Sequence, residues 1–334
     1  MTTTDTLSYQ KKDFVTSQEV RWCPGCGDYA ILTGVQQVFA TLGVAKENFV
    51  FVSGIGCSSR FPYYVDTYGF HGIHGRAAAI ATGVKCANPE LDVWVATGDG
   101  DALSIGGNHM IHAARRNVDM TVLLFNNRIY GLTKGQYSPT SERSKKTIST
   151  PFGSLDTPFN PVNLMLGAGA TFVARTVDTQ LKHLKGVLEA AHAHRGFSLV
   201  EILQNCVIFN HGAFEHIAAK QIRDDRQVDL IPGKPMIFGK DLDKGLKLQP
   251  TSIEIVSPEE ATVWNPAGAT GANAYRMSMG DERGLLPVPI GILRSVARPV
   301  IDRDIHEQIA GARERLGDGS LTDMFQAGDT WKVG

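Results

Sequence analysis

Long apolar runs are missing from this sequence: no stretch approaches the roughly 20 residues a membrane span needs. The opening MTTTDTLSYQKKDF has no apolar core of signal-peptide length. Charge of one sign is missing too, the formal net charge being −1, which argues against a polyanion as the main partner. Neither membrane nor nucleic acid is therefore expected, and the expected location is cytoplasmic. Two common phosphate signatures, G-x-G-x-x-G and G-K-[ST], do not occur, nor does any internal repeat or low-complexity tract. Cysteine is scarce, with five in 334 residues. In a reducing compartment, clustered cysteines are more often metal ligands or redox centres than disulfides.

What is present is an α/β pattern. Hydrophobic residues at 43% and charged residues at 20% are those of an ordinary globular chain. Helical spacing in DYAILTGVQQVFATLGV is followed by a short apolar strand, FVFVSG, and a Gly-rich turn, GIGCSSR. The alternation continues with a helix in GRAAAIATGVKCANP, the strand VWVATG, a helix in GGNHMIHAARRN and the strand MTVLLFN. Further on, the helix TQLKHLKGVLEAAHAHRG stops at Gly196 and leads into the strand SLVEIL. Continuous apolar strands separated by helices predict a mostly parallel sheet covered on both faces. The expected division is an N-terminal extension (1–20), an α/β domain (21–210) and a loop-rich elaboration or partner-contacting arm (211–334).

Two strands end abruptly in polar residues, VWVATGDGD and MTVLLFNNRIYG. Parallel strand order brings their carboxyl ends to one rim, where open α/β sheets bind ligands, so Asp99 and Asn127 should lie close together. One carboxylate and one amide oxygen suit Mg²⁺, which keeps few protein ligands and takes phosphate oxygens for the rest. Gly98 and Gly100 let the backbone approach a diphosphate, with a helix starting near Ser104–Gly107 aiming N–H groups at it. A second GDG, Gly317–Gly319, follows a helix and reads as its stop.

Four of the five cysteines form a second set. Cys23 and Cys26 flank Pro24 and Gly25, while Cys57 and Cys206 each lie just past a strand on the same rim. One C-x-x-C plus two single strand-end thiols fits a [4Fe–4S] cluster. Structural zinc remains an alternative, though it more often uses paired knuckles. Cys86, within a helix, reads as a core residue.

GDG followed by NN resembles the thiamine diphosphate motif. Together with WCPGCGDYAIL, GIGCSSR, HGIHGRAAAIATGVKCANP, NNRIYGLTKGQYSPTS and EILQNC, it resembles the β subunit of 2-oxoacid:ferredoxin oxidoreductases over residues 20–210. The resemblance implies thiamine diphosphate, Mg²⁺, one [4Fe–4S] cluster, coenzyme A as acyl acceptor and ferredoxin as electron partner. It also implies an α subunit supplying the activating carboxylate, in a heterodimer or α₂β₂ assembly, and an inactive β chain alone. Mg²⁺ would be held by Asp99, Asn127 and the Ile129 carbonyl, and the cluster by Cys23, Cys26, Cys57 and Cys206. The cofactor would lie among Gly56, Cys57, Ser58, His74, Gly75, Gly98, Asp99, Gly100, Asp101, Asn127, Ile129, Gly131, Leu132 and Thr133. His74 resembles a position beside the thiamine; a core histidine is the other reading.

For the substrate, Leu132 and Lys134 follow the metal loop and Arg60 follows Cys57, so a cation is at hand for a distal carboxylate. 2-Oxoglutarate is expected, converted to succinyl-CoA, with pyruvate the alternative. A non-redox thiamine decarboxylase with zinc at the cysteines is the rival chemistry. The run SERSKKTIST carries Arg143, Lys145 and Lys146 and reads as a solvated loop, the alternative being contact with coenzyme A phosphates or an acidic ferredoxin.

Overall fold

A computed structural model describes residues 7–268, 270–279, 284, 286–331 and 333–334. Its strands are β1 (Phe49–Ser53), β2 (Tyr68–His71), β3 (Asp92–Gly98), β4 (Met120–Asn126), β5 (Phe172–Val177) and β6 (Phe197–Leu203). These are followed by β7 (Gln227–Leu230), β8 (Ile237–Phe238), β9 (Lys244–Leu248), β10 (Ile253–Val256) and β11 (Val288–Ser295). Eight of them form one sheet in the order β2-β1-β3-β4-β6-β5-β11-β7; β8–β10 form a small antiparallel sheet. Pairing in the large sheet is parallel except between β11 and β5.

Period-two alternation divides the strand residues between two cores. Phe49, Phe51, Trp94, Ala96, Leu123 and Phe125 pack on one face with the helices Asp28–Phe39 and Leu181–Ala193. Val50, Val52, Val93, Val95, Val122 and Leu124 pack on the other, under the helices Ala77–Ala87 and Gly107–Arg116. Because both faces are covered, every residue of β4 and β6 is buried, which is why these strands read as continuous apolar runs. On the first face Phe39 stacks on Phe49 with ring centroids 4.2 Å apart.

Residues 211–334, expected to be a loop-rich elaboration or an arm, elaborate the sheet itself: β7 and β11 extend it beyond β5. The reversed direction of β11 and the shortness of β7 gave the sequence no βα repeat to follow. The segment preceding the first helix also joins the core, Phe14 being fully buried and Val15 bridging Val65. The helix Ile301–Leu316 ends at Gly317, whose φ of +77° suits a glycine stop, as read for the second GDG.

Candidate active site

The rim formed by the carboxyl ends of β1, β3 and β4 encloses a cavity of about 400 Å³. Its wall includes Gly56, Cys57, Ser58, His74, Gly98, Asp99, Gly100, Asp101, Asn127, Ile129, Gly131, Leu132 and Thr133. Asp99 is buried, and one of its oxygens, Oδ2, accepts from Ser138 Oγ and Thr140 Oγ1, each at 2.5 Å. Burial pushes its carboxyl up to about 6, against the downward pull of those two hydroxyls. Asn127 turns its side-chain oxygen along the loop to accept from the Ile129 N–H at 3.1 Å, while no described donor reaches the Ile129 carbonyl. Arg128, between them, holds a left-handed φ of +57°. Its guanidinium is anchored by Glu142 at 3.1 Å and lies 4.6 Å over the Phe214 ring. The turn this residue makes keeps Asn127 and Ile129 both on the cavity wall.

The glycines of the first GDG differ in what they leave room for. A side-chain carbon at Gly100 would strike the Tyr130 ring at 2.1 Å, so that glycine is imposed by protein packing. At Gly98 the nearest atom is Ser58 Oγ at 3.6 Å, an ordinary contact, so the protein leaves that cavity-facing space open. A group as compact as a diphosphate fits such a cradle.

Four thiols meet beside this cavity. Trp22 Nε1 donates to the Cys57 carbonyl at 2.7 Å, and Gln204 Nε2 to Cys26 Sγ at 3.3 Å. Those bonds tie the Cys23–Cys26 turn to the loops after β1 and β6. A carbon added at Gly131 would lie 3.4 Å from Cys206 Sγ and 3.8 Å from Cys57 Sγ. Burial raises the Cys57 thiol to about 12, with further upward pushes from Asp28, Cys206 and Cys23. Burial likewise raises Cys26, and Asp28, Cys57 and Cys206 add to it. Asp28, buried in the same wall, is itself raised to about 7 by burial. Among the described residues no three Cys, His, Asp or Glu side chains converge as a cage for a single metal ion.

Residues 54–202 match the family "Thiamine pyrophosphate enzyme, C-terminal TPP binding domain". The chain is 51% identical to the 2-oxoglutarate oxidoreductase subunit KorB of Mycobacterium tuberculosis, over 96% of this chain and 88% of that one. The chain belongs to the β subunits of the 2-oxoacid:ferredoxin oxidoreductases. A shorter match, 50% identity over 57% of this chain and 59% of the relative, links it to the β subunit of an Aeropyrum pernix 2-oxoacid:ferredoxin oxidoreductase. Among solved structures, a 2-oxoglutarate:ferredoxin oxidoreductase from Magnetococcus marinus superposes with a TM-score of 0.75 at 37% identity, covering 97% of each chain. That enzyme was solved with 2-oxoglutarate, coenzyme A and succinyl-CoA bound.

Within this β subunit several expected roles shift. Asp101 lines the cavity, but its carboxylate is spent on the protein: Oδ1 accepts from Ile55 N and Gly75 N, and Oδ2 from Thr97. Gly75 does not line the cavity; its N–H makes the 2.7 Å bond to Asp101 that fixes the neighbouring loop. A short helix begins at Asp99, with Gly98 as its cap, and the helix expected to start near Ser104–Gly107 begins at Gly107. His74 is exposed on the cavity wall, not a core residue. Lys134 is exposed and lines neither this cavity nor its neighbour. Arg60 lies in an adjoining recess with Arg21 and His71, which shares Ile55, Gly56 and Leu132 with the cavity.

In the run SERSKKTIST, Arg143 and Lys146 are exposed, but Lys145 is half-buried and bonded to Asn210. Asn210 in turn donates to the Asn127 carbonyl at 2.9 Å, so part of that run braces the site. Sequence reading missed Ser138, Thr140, Asn126 and Asp28. The first two carry no pattern beyond a short run of hydroxyls, and Asp28 is simply the first residue of the helix Asp28–Phe39. No helix among the described residues is long and apolar enough to cross a membrane.

Proposed function

We propose that this β subunit, joined to an α subunit, carries out the coenzyme A-dependent oxidative decarboxylation of 2-oxoglutarate to succinyl-CoA, passing electrons to ferredoxin. The observation that carries the reading is the shared rim: Cys57 belongs both to the thiol group and to the wall of the cavity that holds Asp99 and Asn127. Bound in that cavity, thiamine diphosphate supplies the carbanion-stabilising chemistry that 2-oxo acid decarboxylation requires. Asp99, Asn127 and the Ile129 carbonyl would hold Mg²⁺, and the open space at Gly98 would admit the diphosphate.

Cys23, Cys26, Cys57 and Cys206 would hold a [4Fe–4S] cluster. Cys26 and Cys57, raised first by burial and then by Asp28 and Cys206, are poor thiolates unless a metal centre supplies positive charge. Zinc at 2.3 Å from each sulfur would draw four thiolates to within about 3.8 Å of one another. One C-x-x-C with two single strand-end thiols, rather than the paired knuckles zinc more often uses, supports the larger centre.

The cavity's own carboxylates are already engaged. Asp99 faces the metal site, Asp101 braces two loops and Asp28 sits against Cys26. The carboxylate that activates the thiamine aminopyrimidine is therefore assigned to the α subunit. Arg60, in the adjoining recess, is the cation for the distal carboxylate of the substrate; Lys134 is set aside. The relatives named for 2-oxoglutarate support that choice over pyruvate.

The decisive experiment is to purify the chain with its α subunit, measure iron and zinc, and compare 2-oxo acids with viologen as acceptor. Expected are a brown complex whose absorbance near 400 nm bleaches with dithionite, a preference for 2-oxoglutarate, and no turnover by the β chain alone. A colourless zinc protein that decarboxylates without reducing viologen would replace this reading with the non-redox one.

A further inference from the structure

The metal carboxylate is not free to turn. Ser138 and Thr140, both buried, approach Asp99 Oδ2 and leave Oδ1 without a side-chain donor among the described residues. Thr140 Oγ1 also lies 2.9 Å from Asn126 Oδ1, so its single proton has two acceptors, and an ionised carboxylate is the stronger. Asn126 is held in turn: its Nδ2 donates to Glu201 Oε1 at 2.8 Å, which fixes which end of the amide faces Thr140. Glu201 is 1% exposed and pairs through Oε2 with Arg175 Nε at 2.7 Å. The Arg175 guanidinium is anchored further by the Pro289 carbonyl of β11 at 3.5 Å. A continuous buried line thus runs from the added strand β11, across β5, β6 and β4, to the Asp99 carboxylate. The backbone of the same hydroxyl loop is closed by Ser141, whose Oγ accepts from Ser138 N and donates to the Arg128 carbonyl of the metal loop.

We propose that Ser138 and Thr140 are positioning residues for the metal site: they fix Oδ2 of Asp99 so that Oδ1 alone is presented to the cation, with Asn126, Glu201 and Arg175 holding Thr140 in place. The inference rests on the proposed Mg²⁺–thiamine diphosphate site. Mg²⁺ demands near-ideal octahedral geometry, so a carboxylate locked to one-oxygen coordination favours it over larger cations that accept two oxygens from one carboxylate. Removing the lock leaves the ligand in place but lets it rotate, which weakens and broadens cation choice without touching the reacting atoms.

The test uses the αβ complex stripped of divalent cations, with thiamine diphosphate at fixed concentration and Mg²⁺ or Ca²⁺ titrated by calorimetry, followed by turnover measured at saturating Mg²⁺. Thr140→Val should raise the Mg²⁺ concentration at half-saturation by about tenfold, in the range found for lost outer-sphere support of a metal ligand, and narrow the Mg²⁺ over Ca²⁺ preference. At saturating Mg²⁺ its kcat should return to within about twofold of wild type. Thr140→Ser, which keeps the hydroxyl, should restore half-saturation, and Ser138→Ala should shift it in the same direction as Thr140→Val. Absorbance near 400 nm reports whether each variant is folded and loaded.

Half-saturation unchanged in both Thr140→Val and Ser138→Ala overturns the proposal. So does a shift that Thr140→Ser fails to reverse, because that marks a packing role for the residue. Asp99→Asn separates the two levels. If it abolishes Mg²⁺-dependent binding while Thr140→Val binds like wild type, the site stands and the positioning role falls. If the wild-type complex binds no Mg²⁺–thiamine diphosphate, the site and the positioning role fall together.

Discussion

The two ends of the large sheet are both polar, and they treat charge in opposite ways. At the amino-terminal end a recess of about 250 Å³ is lined by Lys85, Asp92, Asp119, His192, His194 and Arg195. Asp119 takes Lys85 and Arg195, each at 3.3 Å, and the Gly196 N–H at 3.1 Å. Asp92 accepts from Trp94 Nε1 at 2.8 Å and meets His192 Nε2 at 2.5 Å. Acid and base there complete one another within the chain. At the carboxyl-terminal end, Asp28, Asp99, Cys26 and Cys57 are all raised by burial, and among the described residues no neighbouring cation offsets Asp28 or Asp99. An end that is finished by its own side chains is architecture. An end that gathers buried acids around a cavity without partners of opposite charge is where the proposed external cations would enter.

This contrast can be broken from either side. The largest effect is expected from Asp99→Ala in the αβ complex: turnover falls by about a thousandfold or more with loss of Mg²⁺-dependent cofactor binding, while urea unfolding of the cation-free protein shifts little. The opposite pattern is expected from Asp119→Ala, which leaves the buried Lys85 ammonium unpaired. That variant should lose about 3–5 kcal/mol in urea unfolding, with kcat per folded molecule unchanged. A smaller effect sharpens the picture at the rim itself. Arg60→Ala should raise KM for 2-oxoglutarate by about tenfold and leave KM for pyruvate within twofold, since only the former has a distal carboxylate. Lys134→Ala should move neither constant. Equal losses in Asp99→Ala and Asp119→Ala, in both activity and stability, would erase the distinction between the two ends.

Much of the catalytic end was legible because it depends on features that sequence displays. Buried parallel strands are continuous apolar runs, and their carboxyl ends carry Gly, Asp, Asn and Cys at the point where polarity begins. That pattern located Asp99, Asn127, Cys57 and Cys206 on one rim before any coordinates. What stayed hidden were partnerships rather than positions. Asp101 looks like Asp99 in the string GDGD, yet its side chain serves the protein's own loops. Of the paired asparagines, Asn127 faces the cavity and Asn126 faces Glu201, since successive residues leave a strand on opposite sides. The two strands added after residue 211 were missed for a related reason. A short strand and an antiparallel one break the βα rhythm that made the first six readable.

The spread of the four thiols along the chain sets the timetable of maturation. Cys23 and Cys26 leave the ribosome early, Cys57 soon after, but Cys206 follows β6 and meets the others only once the strands between them have docked. A nascent chain halted before that point holds three of the four ligands and lacks the wall that Gly131 shares with Cys206. If these thiols hold the proposed cluster, iron and sulfide would reach a polypeptide that has already folded, and synthesis and loading would be separate events in time.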